Sequence, residues 1–454
     1  MARSPLVAGI DLATADVRVT VADGTGRVVA TAAAPLPAPD RPEPGRSEQD
    51  ATGWWPAVAR CLREATAGLA DPVVAVAVAA TSGTVVLADR NREPVGPAVL
   101  YDDRRAAAPD RWSLLLDRPG AAEAAVHAWH ASDLVVSRLI GGVPPTDWTH
   151  ALKTGFDPGR GDWTTPEPGR AGRPAVLSPA SPAGPVSDAA AGETGLPAGC
   201  RVRLGMTDGC AAQVAAGADR PGRFVTVVGT TLVVKGATEG RIDDAASGVY
   251  SHRHPDGWWL PGGASNTGGG SLSARFADGD LAALDRAATE RGPATVVCYP
   301  LPGHGERFPF ACDGAGEAWS GPPADDVDAY RAVLEGVAFL ERLGYERLED
   351  LGATVTPPLR SAGSGGRSPA WTAVRATVLG LPIVCPPSAD TAFGACVLAA
   401  AGTVHPDLSA AADAMVGRAG PAVGPVADEQ DRLEESYRRF VDLLTERGWL
   451  TWRN

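Results

Sequence analysis

Three short stretches combine glycine with hydroxyl side chains: Gly9-Ile10-Asp11-Leu12-Ala13-Thr14, Gly229-Thr230-Thr231, and Ala362-Gly363-Ser364-Gly365-Gly366-Arg367-Ser368. Glycine lets backbone N–H groups approach an anion closely, and a Ser or Thr hydroxyl adds a donor without any lysine. Such turns suit phosphate oxygens, although each alone also reads as an ordinary strand-end turn. A carboxylate, Asp208, closes Gly205-Met206-Thr207-Asp208, between a short apolar strand and an alanine-rich helix. That place suits a general base accepting a hydroxyl proton, and it also suits a helix N-cap.

Other phosphate chemistry is excluded by residue type. Lys153 and Lys235 are the only lysines, and neither completes the glycine pattern of a lysine-based P-loop. No G-x-G-x-x-G and no G-x-S-x-G is present. His252, His254 and His304 lack a ligand-spaced partner set and read as structural or surface residues. Trp258-Trp259 reads as strand packing rather than a sugar platform. The seven cysteines are scattered, odd in number and without a C-x-x-C pair, which fits reduced core thiols. A formal charge of −13 speaks against a nucleic-acid partner, since phosphate backbones are held by surplus Lys and Arg.

Elements able to carry these residues follow from the apolar pattern. The 454 residues are too many for one typical core and fit two domains. The hydrophobic fraction of 44% with 21% charged residues is that of a globular chain. The apolar run Leu6–Ile10 is cut by Asp11, too short for a signal region or a membrane span, so a cytoplasmic protein with no membrane partner is expected. Alternation predicts a three-stranded meander over Leu6–Asp11, Val17–Ala22 and Val28–Ala33. Helical period then covers Trp54–Leu69, and Val73–Ala79 reads as a buried strand that Thr84–Ala88 would continue.

The Pro-, Ala- and Gly-rich stretch 174–199 reads as a surface loop. Strand Arg201–Gly205 and a helix near Cys210 follow, and Phe224–Val228 opens what reads as a second domain. Its continuation, Val227 to Lys235, echoes Val7 to Thr14, so two similar halves are expected. Further helices are predicted at Ala329–Leu348 and Thr372–Val378. Alternating strands and helices give an α/β class.

Taken in order along the chain, these segments resemble the FGGY family of carbohydrate kinases. The opening and Phe224–Gly236 are similar to that family's two phosphate loops. Thr81-Ser82-Gly83-Thr84 and Tyr101-Asp102-Asp103-Arg104-Arg105 are similar to its sugar-site segments, and Gly205 to Asp208 to its catalytic segment. Pro302 to Phe310, Arg331 to Phe339 and Gly363 to Trp371 match its remaining motifs. Ser82-Gly83-Thr84, together with Gly262 to Gly269, looks most like the short D-ribulose kinases of plants and cyanobacteria. Xylulokinases usually carry a Met-His before that first glycine, whereas here the first histidine is His127.

The resemblance implies two actin-like, ribonuclease-H-like ATPase domains, residues 1–219 and 220–454, with an interdomain cleft. It implies phosphorylation of a small sugar by ATP with Mg²⁺, D-ribulose first and D-xylulose or a polyol as alternatives. Asp208 would be the base, Asp11 would organise the metal, and Thr14, Gly229, Thr230 and Thr231 would hold phosphates. Gly363, Gly365 and Gly366 would receive the adenosine, and Ser82, Asp103 and Arg105 the sugar. Ala13 and Ser364 depart from the family's usual glycines at these turns. A monomer or homodimer is expected. An actin-like ATPase or a catalytically silent sugar-binding regulator would share the phosphate turns, and only sugar-dependent turnover separates them from a kinase.

Overall fold

Seven consecutive buried residues make Leu6–Leu12 a strand (β1), which pairs antiparallel with β2 (Asp16–Asp23), itself antiparallel to β3 (Val28–Pro35). Helix α1 (Trp54–Thr66) turns Trp54, Val58, Cys61 and Leu62 into the core. The chain returns as β4 (Val73–Ala80), parallel to β1. Its near-continuous apolar run, Val-Val-Ala-Val-Ala-Val-Ala-Ala, is what a strand buried on both faces requires. With β5 (Pro182–Pro185) and β6 (Arg201–Thr207) the sheet runs β5-β6-β4-β1-β2-β3. The computed structural model describes residues 5–277, 279–417 and 420–453.

A second sheet repeats this plan. Strands β7 (Phe224–Val228), β8 (Leu232–Gly236) and β9 (Trp259–Ala264) form an antiparallel meander, and β10 (Leu359–Ala362) and β11 (Ile383–Val384) add in parallel beside β7. The order β9-β8-β7-β10-β11 matches β3-β2-β1-β4-β6 position for position. The short echo between Val7 and Val227 thus lies on equivalent strands.

Two expectations about the first half are corrected. Val85–Ala88 does not extend the main sheet; it pairs with His127–His130 and Ala98–Val99 in a separate four-stranded sheet. Gly83, at φ +87°, redirects the chain after Ser82, a conformation that L side chains avoid. The stretch 174–199 is not all loop either. It holds edge strand β5 and a helix, Asp188–Thr194, whose first turn is capped by Ser187 and whose Ala190 and Thr194 are buried. Proline is tolerated there because β5 lies at the sheet edge.

The helices that matter for the site are α2 (Arg111–Leu116), α3 (Ala131–Ile140), α4 (Trp148–Ala151) and α5 (Asp208–Ala215), followed by α6 (Asp326–Asp350), α7 (Pro369–Leu379) and α8 (Thr391–Ala400). No helix among the described residues is long and apolar enough to cross a membrane.

Two compact units emerge, one of Met1–Ala215, His252–Gly257 and Ser388–Gly417, the other of Ala216–Ser251, Trp258–Pro387 and Arg418–Asn454. The first break lies close to the expected 219/220 boundary, but the C-terminal half returns two segments to the first unit. Helix α8 accounts for the larger of them. Nine of its residues are buried, and glycines let its backbone come close. A Cβ on Gly9 of β1 would stand 2.0 Å from the Ala392 carbonyl oxygen, and one on Gly394 would stand 2.0 Å from that of Ala211 in α5. Gly9 therefore serves helix packing rather than anion approach.

Candidate active site

In the first unit, β1, β4 and β6 lie side by side, with Asp11 opposite Ala79 and Thr207 opposite Ala80. Asp11 is the next-to-last residue of β1, Asp208 opens the helix that follows β6, and Ser82 follows β4. Adjacent strands are about 4.8 Å apart, so the three segments share one edge of the sheet roughly 10 Å across.

Asp11 is 3% exposed. Its Oδ2 lies 3.7 Å from Arg18, whereas Oδ1 is buried without a hydrogen-bond partner. Burial, then the like charge of Asp208, pushes its carboxyl up to about 7, with Asp16 and Asp390 adding and Arg18 opposing. An orphaned oxygen facing other carboxylates fits a divalent cation, which would offset their repulsion. Among the described residues, no group of three or more His, Cys, Asp or Glu forms a preformed cage. Few protein ligands plus retained water is the habit of Mg²⁺.

Asp390 belongs to this edge and was missed from sequence. It caps α8 by accepting from the Phe393 amide at 2.8 Å, and the neighbouring Thr391 hydroxyl reaches the Asp208 carbonyl at 3.5 Å. Asp-Thr ahead of an apolar run was the available signal, an N-cap signature. Asp208 itself is half-buried and accepts from the Gly209 amide at 2.8 Å. Thr14, in the turn after β1, accepts a hydrogen bond from Gln49 on its carbonyl, which leaves the side chain uncommitted by that contact.

The sugar-type segments are joined by Arg111, a second residue that sequence reasoning did not single out. From α2 its buried guanidinium donates to the carbonyls of Gly83 at 2.6 Å, Tyr101 at 2.7 Å and Asp103 at 3.1 Å. The Ser82 hydroxyl beside this clamp is buried and has no hydrogen-bond partner. Asp103, expected to bind the sugar, is already engaged by protein donors. Its Oδ2 accepts from the Ser47 amide at 2.8 Å and Arg105 Nη2 at 2.7 Å, and Oδ1 from the Arg105 amide at 3.0 Å. Burial raises its carboxyl, but hydrogen bonds from Arg105 and the Ser47 amide outweigh that and hold it below the usual range. Arg105 also binds Glu48, so the pair makes a rigid turn, whereas the Ser82 hydroxyl beside it has no partner.

Because Arg111 ties both segments through three charge-assisted bonds, Arg111→Ala is expected to raise the sugar KM at least tenfold and leave the ATP KM within about twofold. Steady-state kinetics with each substrate varied would check the split; equal shifts in both KM values would refute the clamp.

In the second unit the turn Gly229-Thr230-Thr231 joins β7 to β8. Gly269 and Gly270 donate to the carbonyls of Gly229 and Thr230 at 2.8 and 2.9 Å. That supporting strand end is fixed by Glu306, 3% exposed, which accepts from Ser265 Oγ at 2.7 Å, the Asn266 amide at 2.7 Å, Thr267 Oγ1 at 3.2 Å and Tyr299 OH at 2.9 Å. Alongside, Gly363 sits at φ +84° with Val228 so near that a Cβ would be 2.5 Å from its carbonyl oxygen. Gly365 opens a single 3₁₀ turn that includes Gly366 and leads into α7, whose cap Ser368 also bonds Asp285 at 2.8 Å. The second unit thus brings two of the three glycine turns together.

The N-terminal domain model of the FGGY family of carbohydrate kinases matches residues 6–156, and its C-terminal domain model residues 224–403. The chain belongs to that family. A xylulose kinase of Streptomyces rubiginosus is 29% identical over 98% of this chain and 97% of its own length. A ribulokinase of Mycolicibacterium smegmatis is 30% identical over 58% of this chain and 50% of its own. The crystal structure of xylulose kinase from Rhodospirillum rubrum superposes with a TM-score of 0.85 at 25% identity, covering 97% of this chain and 98% of that one. This FGGY chain is accordingly a carbohydrate kinase with the two-domain, actin-like ATPase fold.

Proposed function

We propose that the chain transfers the γ-phosphoryl group of ATP to a hydroxyl of a ketopentose. The observation that carries this reading is that Asp11, Asp208 and the segment bearing the partnerless Ser82 hydroxyl lie at the same end of three adjacent strands. Asp208 is the base that takes the sugar hydroxyl proton as the new P–O bond develops. Ser82 hydrogen-bonds the sugar, and Asp103 with Arg105 shapes the wall beside it. Phosphates are assigned to Thr14, Gly229, Thr230 and Thr231, and adenosine to the backbone at Gly363, Gly365 and Gly366. Asp11 would hold Mg²⁺, directly or through water, and the bound ion supplies positive charge that offsets the phosphates.

Two sugars stand level. The Ser82-Gly83-Thr84 segment favours D-ribulose, and a relative matched over 97% of its length is named a xylulose kinase, which favours xylulose. ADP release with Mg-ATP, measured against D-ribulose, D-xylulose, L-ribulose, ribitol and glycerol, decides between them. We expect one pentulose to exceed the others by at least tenfold in kcat/KM; ATP turnover indifferent to every sugar would overturn the reading.

A further inference from the structure

The amide just before Asp208 is not held by the sheet. The parallel pairing of β6 with β4 shifts register between Leu204 and Thr207, so the regular ladder is interrupted there. The Thr207 N–H donates instead to the Thr149 hydroxyl of α4, at 2.9 Å. Behind Thr149 stands a buried ion pair. Asp147, the cap of α4, is 2% exposed and takes the Thr149 hydroxyl and the amides of Thr149 and His150 on Oδ1. Its Oδ2 accepts from His150 Nδ1.

The other ring nitrogen of the fully buried His150 faces the carbonyl of Ala80, the last residue of β4, at 3.3 Å. An acceptor stands at each nitrogen, a carboxylate on one side and a carbonyl on the other. Only the doubly protonated ring donates to both. Burial works against that charge, but Asp147, with Asp133 of α3 behind it, outweighs burial and raises His150 above its ordinary value. His130, whose ring lies 6.0 Å away, is occupied by Asp133, Thr146 and Thr154. The dyad therefore reaches one strand end directly, at Ala80 before Ser82, and the other through Thr149, at Thr207 before Asp208.

We propose that Thr149, held by the buried Asp147–His150 pair, is a positioning residue for phosphoryl transfer, fixing the backbone from which Asp208 projects. The inference rests on Asp208 being the base. A base must lie within hydrogen-bond reach of the proton it takes, and a displacement of about 1 Å costs roughly a hundredfold in rate. Valine in place of Thr149 keeps the shape and removes the hydroxyl that accepts from the Thr207 amide.

The test uses the full chain, with the pentulose that it turns over best. Thr149→Val is expected to lower kcat about 30-fold with both KM values within threefold, Thr149→Ser to recover most of the loss, and His150→Gln to lower kcat about tenfold. A folded Thr149→Val with wild-type kcat would overturn the proposal. So would a loss that Thr149→Ser does not rescue and that follows the melting temperature, since that is a purely structural role. If Thr149→Val yields no folded protein, His150→Gln decides: wild-type kcat refutes, and the kcat-only loss supports. Asp208→Asn serves as reference. If it retains near wild-type kcat, the base assignment fails; if it is inactive while Thr149→Val keeps wild-type kcat, only the positioning role fails.

Discussion

Asp208→Asn is expected to reduce sugar-dependent ADP release by about a thousandfold in kcat, in the middle of the range for loss of a positioned general base. The ATP KM should move by less than about threefold, because the carboxylate acts on the sugar hydroxyl. The substitution separates the two uses of this residue. Asn caps helices as well as Asp does, and the bond from the Gly209 amide survives in the amide side chain. A cap alone therefore predicts no change in rate. A base predicts collapse of kcat at unchanged melting temperature. A coupled ADP assay with a thermal melt on the same preparation reads both.

The second large effect concerns stability. Arg375 of α7 and Glu341 of α6 are fully buried and bond through two contacts, 2.6 and 2.7 Å, and Arg375 Nη1 holds Ser361 Oγ at 2.7 Å just before the Gly363 turn. Glu341→Ala would strand the guanidinium in a dry interior. The expected loss is about 3–5 kcal/mol, a large part of the stability of an ordinary domain. Replacing both partners, Glu341→Leu with Arg375→Met, should recover most of it, because an apolar pair of similar size carries no desolvation penalty. Urea midpoints for the wild type, the single and the double variant would show this; a midpoint unmoved by Glu341→Ala would refute it.

Legibility in the sequence followed the range over which each signal acts. The strands β1 to β4 and the helix α6 were read within a few residues, since alternation and helical period are local. Asp11, Ser82 and Asp208 stand out in the sequence because each lies at or just beyond the end of a readable strand. Arg111 was not, because its partners are three carbonyls, and no side-chain pattern encodes a carbonyl clamp. Asp390 and the Asp147–His150 pair were missed for a related reason. Each depends on a helix returning to a sheet edge from far along the chain or from an unremarkable loop. Asp103 was read as a ligand from its type and motif, whereas its donors, Ser47 and Arg105, become visible only once the turn is folded.

The return of α8 to the first unit bears on how the polypeptide is made. Ala392 and Cys396 complete the surface on which Gly9 rests, so the N-terminal core lacks a wall until residues near 400 have left the ribosome. Domains normally fold one after another during synthesis, the N-terminal one first. Here the nascent first half must wait, partly open, for a segment encoded after most of the second half. A gene fragment ending near residue 219 would accordingly encode not an independent module but an unfinished one.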